Sequence, residues 1–127
     1  MITGLYFAIF GAGLALLFLN VVKNRRANKI LFGDGNNDAL IRARSVHSNY
    51  VETVPFILLL MLMLEQSGFY PDFVIHIFGI GMIISRALHF HGITVKEASG
   101  KTRVFGSAGF IFLLLGGAVL LLIDYIL

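Results

Sequence analysis

Four stretches of 20 to 28 residues, three of them apolar and the second apolar only in its latter half, make up most of this chain and leave it little choice of environment. Residues 2–23, 39–66, 72–91 and 103–126 each supply the length that an α-helix, rising 1.5 Å per residue, needs to cross a hydrocarbon layer of about 30 Å. A soluble domain of 127 residues has too much surface to cover with 13% charged residues, against a usual ~25%, and too little interior for 57% hydrophobic ones. The pattern predicts an all-α integral membrane protein, a four-transmembrane-helix bundle forming a single domain over 1–127. High apolar content excludes disorder, and the absence of cysteine excludes a disulfide scaffold or a thiolate metal site.

The connectors give the boundaries. In the first block, Ile2 to Val22, the basic residues follow the apolar run instead of preceding it, so the segment is expected to be a retained span and not a cleaved signal. Gly33-Asp34-Gly35-Asn36-Asn37-Asp38 is dense in turn formers, and Asn37 or Asp38 is placed to cap a helix beginning near Ala39. Gly68 suits the end of that helix and Pro71 the start of the third, with Gly92 to Lys101 expected as a short polar connector. The net charge of +3 does not point to nucleic acid, because Lys and Arg flank apolar blocks without forming a continuous basic face. Lys23, Arg25, Arg26 and Lys29 follow the first span, Lys96, Lys101 and Arg103 lie between the third and fourth, and the second-to-third turn carries no Lys or Arg. The positive-inside rule therefore predicts both basic loops on the cytoplasmic side and both termini on the other.

Polar residues within such helices are the candidate functional groups, because a bilayer penalises them unless they are paired or hydrated. At 100° per residue Arg42, Ser45, Asn49 and Glu52 share one stripe, while Arg44 and His47 are expected to face solvent or headgroups. Glu52 needs a partner, and Arg86, with His89 three residues on, offers the simplest ion pair. Pro55, one turn after Glu52, is expected to bend the helix. Such a pair serves either a binding site or helix packing, with Asn49 as interhelical glue in the second case. No metal site is expected, since no HExxH or comparable spacing occurs, and Gly33-x-Gly35 is too little for a dinucleotide fingerprint. Met61, Met63 and the phenylalanines read as packing or lipid-facing groups. Gly4, Gly11, Gly13, Gly79 and Gly81 permit close helix approach.

The run Arg42-x4-His47-x-Asn49-x2-Glu52-x2-Pro55-Phe56, followed by an apolar stretch, a short turn and then Arg86-x2-His89, resembles the membrane-associated proteins in eicosanoid and glutathione metabolism, the MAPEG family, and its short bacterial members in particular. The likeness extends over the whole chain in length, four-span layout and placement of the basic loops. It implies a homotrimer in a bacterial inner membrane, with glutathione as cosubstrate bound between protomers near the cytoplasmic side, and a lipophilic small molecule arriving from the lipid bilayer. By that resemblance Asn49, Glu52, Arg86, His89, Lys23 and Arg42 are the glutathione-binding candidates and Arg103 the catalytic one. A cationic pocket with one acid suits glutathione's two carboxylates and one amine, and a cation beside the thiol raises its reactive thiolate fraction. The chain departs from the eicosanoid-metabolising members: Ser107 stands near their fourth-helix tyrosine, Ile93 where a third-helix tyrosine is expected, and Ser48 in place of an arginine. Prostaglandin or leukotriene synthesis is therefore not expected. A glutathione-dependent transferase or peroxidase acting on lipophilic electrophiles is one reading. A noncatalytic membrane protein whose polar residues serve packing and trimer assembly is the other, and a proton relay through Glu52 is a third.

Overall fold

A computed structural model describes residues 1–95 and 100–127 of the chain. The described residues form four helices, α1 (Ile2–Asn28), α2 (Asp38–Ser67), α3 (Asp72–Thr94) and α4 (Gly100–Ile126), each long and apolar enough to cross a membrane. Lys96 and Glu97 of the third connector lie outside the described residues.

The helix ends follow from local chemistry. The Asn37 side chain accepts from the Leu40 amide at 3.0 Å, so of the two expected caps it is Asn37 that opens α2. Gly68 closes α2 at φ 68°, a conformation open to glycine at no steric cost, and Pro71 is the N-cap of α3. Two boundaries differ from the sequence expectation. α1 runs past Lys23 to Asn28, because Arg and Lys are good helix formers and the chain stops only when Lys29 turns left-handed at φ 55°. Likewise α3 continues through Gly92 to Thr94, and α4 begins at Gly100, so Arg103 is its fourth residue and not its first.

α2 and α3 are the inner helices: 39% of the apolar window of each is buried, against 11% for α1 and α4. Val54, Ile57, Met61 and Leu64 of α2 meet Tyr6 and Phe10 of α1 and Ile75, Phe78 and Met82 of α3 in one core. Met61 is fully buried whereas Met63 faces outward, so both expected roles for methionine occur. The outer faces of α1 and α4 expose Leu16, Phe18, Phe112 and Leu122, an apolar surface suited to lipid. At the end away from the basic residues of α1, the Glu65 carboxylate accepts from the Ile2 and Thr3 amides, satisfying donors that the first turn of α1 leaves free. Nearby, Tyr6 bonds the Nδ1 of His76 at 2.9 Å and packs over Gly79, where a Cβ would collide with its ring.

The closest helix approach joins α3 to α4. A Cβ on Gly106 would lie 2.6 Å from the His89 amide nitrogen and 2.7 Å from the Ser85 carbonyl oxygen, so only glycine lets the two backbones meet here. That approach lets Ser85 Oγ donate to the Gly106 carbonyl at 2.7 Å.

Candidate functional site

Arg86 is the hub of the polar interior. It is 8% exposed, yet no carboxylate lies within ion-pair distance among the described residues. Its Nη1 donates to Asn49 Oδ1 at 2.6 Å and to Thr53 Oγ1 at 3.0 Å, and its Nη2 donates to Ser85 Oγ at 3.0 Å and to the Gly106 carbonyl at 3.3 Å. The guanidinium also lies 5.5 Å from the centre of the Phe110 ring. One side chain thus ties α2, α3 and α4 together through neutral acceptors.

The expected ion pair between Glu52 and Arg86 is therefore absent. Glu52 is exposed and accepts from Ser48 Oγ, one turn earlier, at 2.9 Å. The physical reason is rotation: Asn49 and Glu52 stand about 60° apart around α2, and the buried seam passes on the Asn49 side. Thr53, one turn beyond Asn49, takes the place next to Arg86 that Glu52 was expected to fill. Sequence reasoning missed Thr53, Ser85 and Gly106 because small polar groups and a glycine carbonyl carry no charge signal. The i, i+4 relation of Thr53 to Asn49 was the available clue.

Two separate cavities result. One of about 310 Å³ opens between α1 and α3 and takes in Asn49, Tyr50, Arg86 and His89 together with Leu17 and Phe90. The other, of about 400 Å³, lies between α1 and α2 and holds Glu52, Ser48 and His47 with Arg25 and Arg44, above Phe18 and Val51. Arg44 and His47, expected to face away from Glu52, share its cavity, and Arg44 also stands 3.8 Å from Asp34. Arg25, for which the sequence suggests a topology signal or a contact with anionic lipid ahead of ligand binding, also lines this cavity and donates to the Ile30 and Leu31 carbonyls.

The remaining candidates fall elsewhere. Arg42 borders a third cavity and donates to the Ile93 carbonyl at 2.7 Å, fastening α2 to the end of α3. Lys23 is exposed on α1 and lines neither of the first two cavities. Arg103 is exposed near the start of α4, its backbone packed on Gly92, and it too lines neither. Of the seven candidates, Asn49, Arg86 and His89 come together and Arg103 stands near His89 across the α3–α4 contact, while Glu52, Arg42 and Lys23 lie elsewhere in the chain. Among the described residues no three His, Asp or Glu side chains converge as metal ligands would.

The sequence pattern of the MAPEG family matches residues 3–123, nearly the full length. This chain belongs to the MAPEG family. Curated relatives of this family member include the "Inner membrane protein YecN" of Escherichia coli (strain K12), 34% identical over 93 residues, covering 72% of this chain and 70% of the relative. The protein of the same name from Escherichia coli O6:H1 (strain CFT073) matches to the same extent. No solved structure matches the chain. The four apolar helices and the family together make this MAPEG member an integral membrane protein.

Proposed function

We propose that this MAPEG protein is a glutathione-dependent transferase or peroxidase for lipophilic electrophiles, acting as a homotrimer in the inner membrane with its basic loops cytoplasmic and its termini on the opposite side. The observation that carries the reading is the Glu52 cavity, where one carboxylate stands among Arg25, Arg44 and His47. Glutathione carries two carboxylates and one ammonium, so two guanidinium forks and one acid are its electrostatic complement. Phe18, Val21 and Val51 give the same cavity an apolar wall, where an electrophile leaving the lipid would meet the thiol.

The chemistry asks for a cation at the sulfur. Arg103 supplies one by family resemblance, and because it is exposed on α4 and lines neither cavity of its own chain, it would act on the site of a neighbouring protomer. In the transferase reaction the thiol loses its proton to solvent, the thiolate forms a bond to the electrophilic carbon, and the leaving group departs with the electron pair. Arg103 favours the first step by stabilising the anion. Asn49, Arg86 and His89, also glutathione-binding candidates by the resemblance, line the separate cavity between α1 and α3.

The inner-membrane location draws on the name of the YecN relatives, and the sidedness on the Lys and Arg distribution. The test is turnover of 1-chloro-2,4-dinitrobenzene by the detergent-purified protein with glutathione. Arg103→Ala is expected to lower kcat, and Glu52→Gln to raise KM for glutathione. A protein that turns over neither this electrophile nor a lipid hydroperoxide would overturn the assignment. That outcome would favour the noncatalytic reading, whose own support is the Arg86 clasp across three helices.

A further inference from the structure

The connection from α1 to α2 folds back on the helix it leaves. Lys29 stands left-handed at φ 55°, its amide donates to the Arg26 carbonyl at 3.3 Å, and the Ile30 amide donates to the Arg25 carbonyl at 3.0 Å. These paired bonds form a Schellman motif, which satisfies carbonyls that the last turn of a helix leaves free. The Arg25 side chain reinforces it by donating to the Ile30 and Leu31 carbonyls. Ile30 in turn packs on Gly35, where a Cβ would meet its Cδ1 at 2.8 Å. Ile30, Leu31 and Phe32 are thereby fastened beside the basic end of α1.

The length of α1 sets the level of this fold-back in a bilayer. Its apolar part, Ile2 to Val22, is 21 residues and therefore about 31 Å long, the thickness of the hydrocarbon layer. Arg25 stands about 4–5 Å beyond that part, within a headgroup layer roughly 5–8 Å deep, and Leu31, fastened to Arg25, lies near the same level. Arg25, Arg26 and Lys29 line a cavity of about 370 Å³ with Ile30 and Leu31, and no Asp or Glu borders it. Asp34, the acid of the connection itself, stands 3.8 Å from Arg44 instead. The side chains of Arg26 and Lys29 have no hydrogen bond or ion pair among the described residues. Beside them Leu31 and Phe32 are 83% and 90% exposed, beyond the 76% of Phe112 on the outer face of α4. Unpaired cations alone would suit water, and bare apolar side chains alone would suit hydrocarbon. Both together at one level suit the boundary, where anionic headgroups lie over the first methylenes of their chains.

We propose that this fold-back binds an acidic phospholipid of the surrounding bilayer, with the phosphate held by Arg26 and Lys29 and the upper part of an acyl chain lying on Leu31 and Phe32. The phosphate supplies the acceptors and the negative charge that the cavity lacks, and the chain covers the two bare apolar side chains. Arg25, holding the loop carbonyls, is a positioning residue for the pair. The site uses neither Glu52 nor a thiol, so it stands independently of the glutathione assignment.

The chain has no tryptophan, so Phe32→Trp places a single fluorescent reporter at an exposed position, with Leu31→Trp as the second reporter should the first not fold. The full chain is reconstituted in phosphatidylcholine vesicles in which either phosphatidylglycerol or a share of the phosphatidylcholine carries acyl chains brominated near the headgroup, and quenching of the tryptophan is read. Quenching by both lipids is expected, with phosphatidylglycerol favoured at least about fivefold in relative association constant, the factor that one basic residue near an anionic surface supplies. Arg26→Gln with Lys29→Asn, asparagine being at ease in the left-handed position, should bring that ratio close to unity. Phe112→Trp in the otherwise unaltered chain should be quenched equally by the two lipids. Unquenched emission at position 32, equal quenching there by both lipids, the same preference at position 112, or an undiminished preference in the double variant would each overturn the proposal. A preference lost in millimolar inorganic phosphate but kept in sodium chloride of equal ionic strength would assign Arg26 and Lys29 to a soluble anion and overturn it as well.

Discussion

Replacing Gly106 by alanine tests whether the α3–α4 approach holds the polar hub together. The new Cβ would meet backbone atoms of His89 and Ser85 at 2.6 and 2.7 Å, and neither can rotate aside as a side-chain tip could. Relief requires the helices to part, and overpacking of this kind costs about 1–3 kcal/mol. Parting them also loosens the bonds from Ser85 Oγ and Arg86 Nη2 to the Gly106 carbonyl, each worth about 0.6 kcal/mol in a membrane protein. Against this stands a gain of about 1 kcal/mol in helix propensity on going from Gly to Ala. The sum is a net destabilisation of about 1–3 kcal/mol. Gly116→Ala is the control, because a Cβ there meets nothing within 4 Å and only the propensity gain remains. Reversible unfolding in mixed micelles with rising dodecyl sulfate, followed by circular dichroism, reads both values. A Gly106→Ala protein as stable as Gly116→Ala would refute the close approach.

Three further outcomes follow from the same geometry. Because Glu52 and Arg86 are not paired, the double variant Glu52→Gln with Arg86→Leu should show additive unfolding energies within about 0.5 kcal/mol, whereas a larger coupling in the same assay would restore the ion pair. Asn49→Leu should cost about 1–3 kcal/mol by removing an acceptor from a buried cation, and adding Arg86→Met should recover part of that loss; no recovery would mean that the guanidinium is hydrated. Glutathione affinity should fall as sodium chloride rises, since Arg25 and Arg44 stand at an open, screened cavity, and a salt-independent affinity would remove them from the site.

The fold was legible because a bilayer makes its demands through length and polarity, both written in the sequence. The number of spans, the Asn37 cap and the Gly68 stop all follow from local chemistry. Polarity alone does not end a helix: Asn24 to Asn28 and Gly92 to Thr94 continue the helical hydrogen bonding of α1 and α3 beyond the apolar stretches. At the site, charge complementarity in the sequence points Arg86 at Glu52. The arginine instead takes Asn49, Thr53, Ser85 and Gly106, a choice fixed by how α2 is rotated and how closely α4 approaches. Helical spacing brings Asn49 and Glu52 close to one face, but only packing decides that a cavity boundary runs between them. Glu65 was similarly invisible, since its partners are backbone amides of α1, sixty-odd positions away in the chain.

The central claim is that the Glu52 cavity takes glutathione. Equilibrium dialysis of labelled glutathione against the purified protein near neutral pH, in wild type, Glu52→Gln and Arg44→Ala, tests it most directly. The account predicts saturable binding that weakens in both variants. Absence of binding at millimolar glutathione, or equal binding in all three proteins, would contradict it.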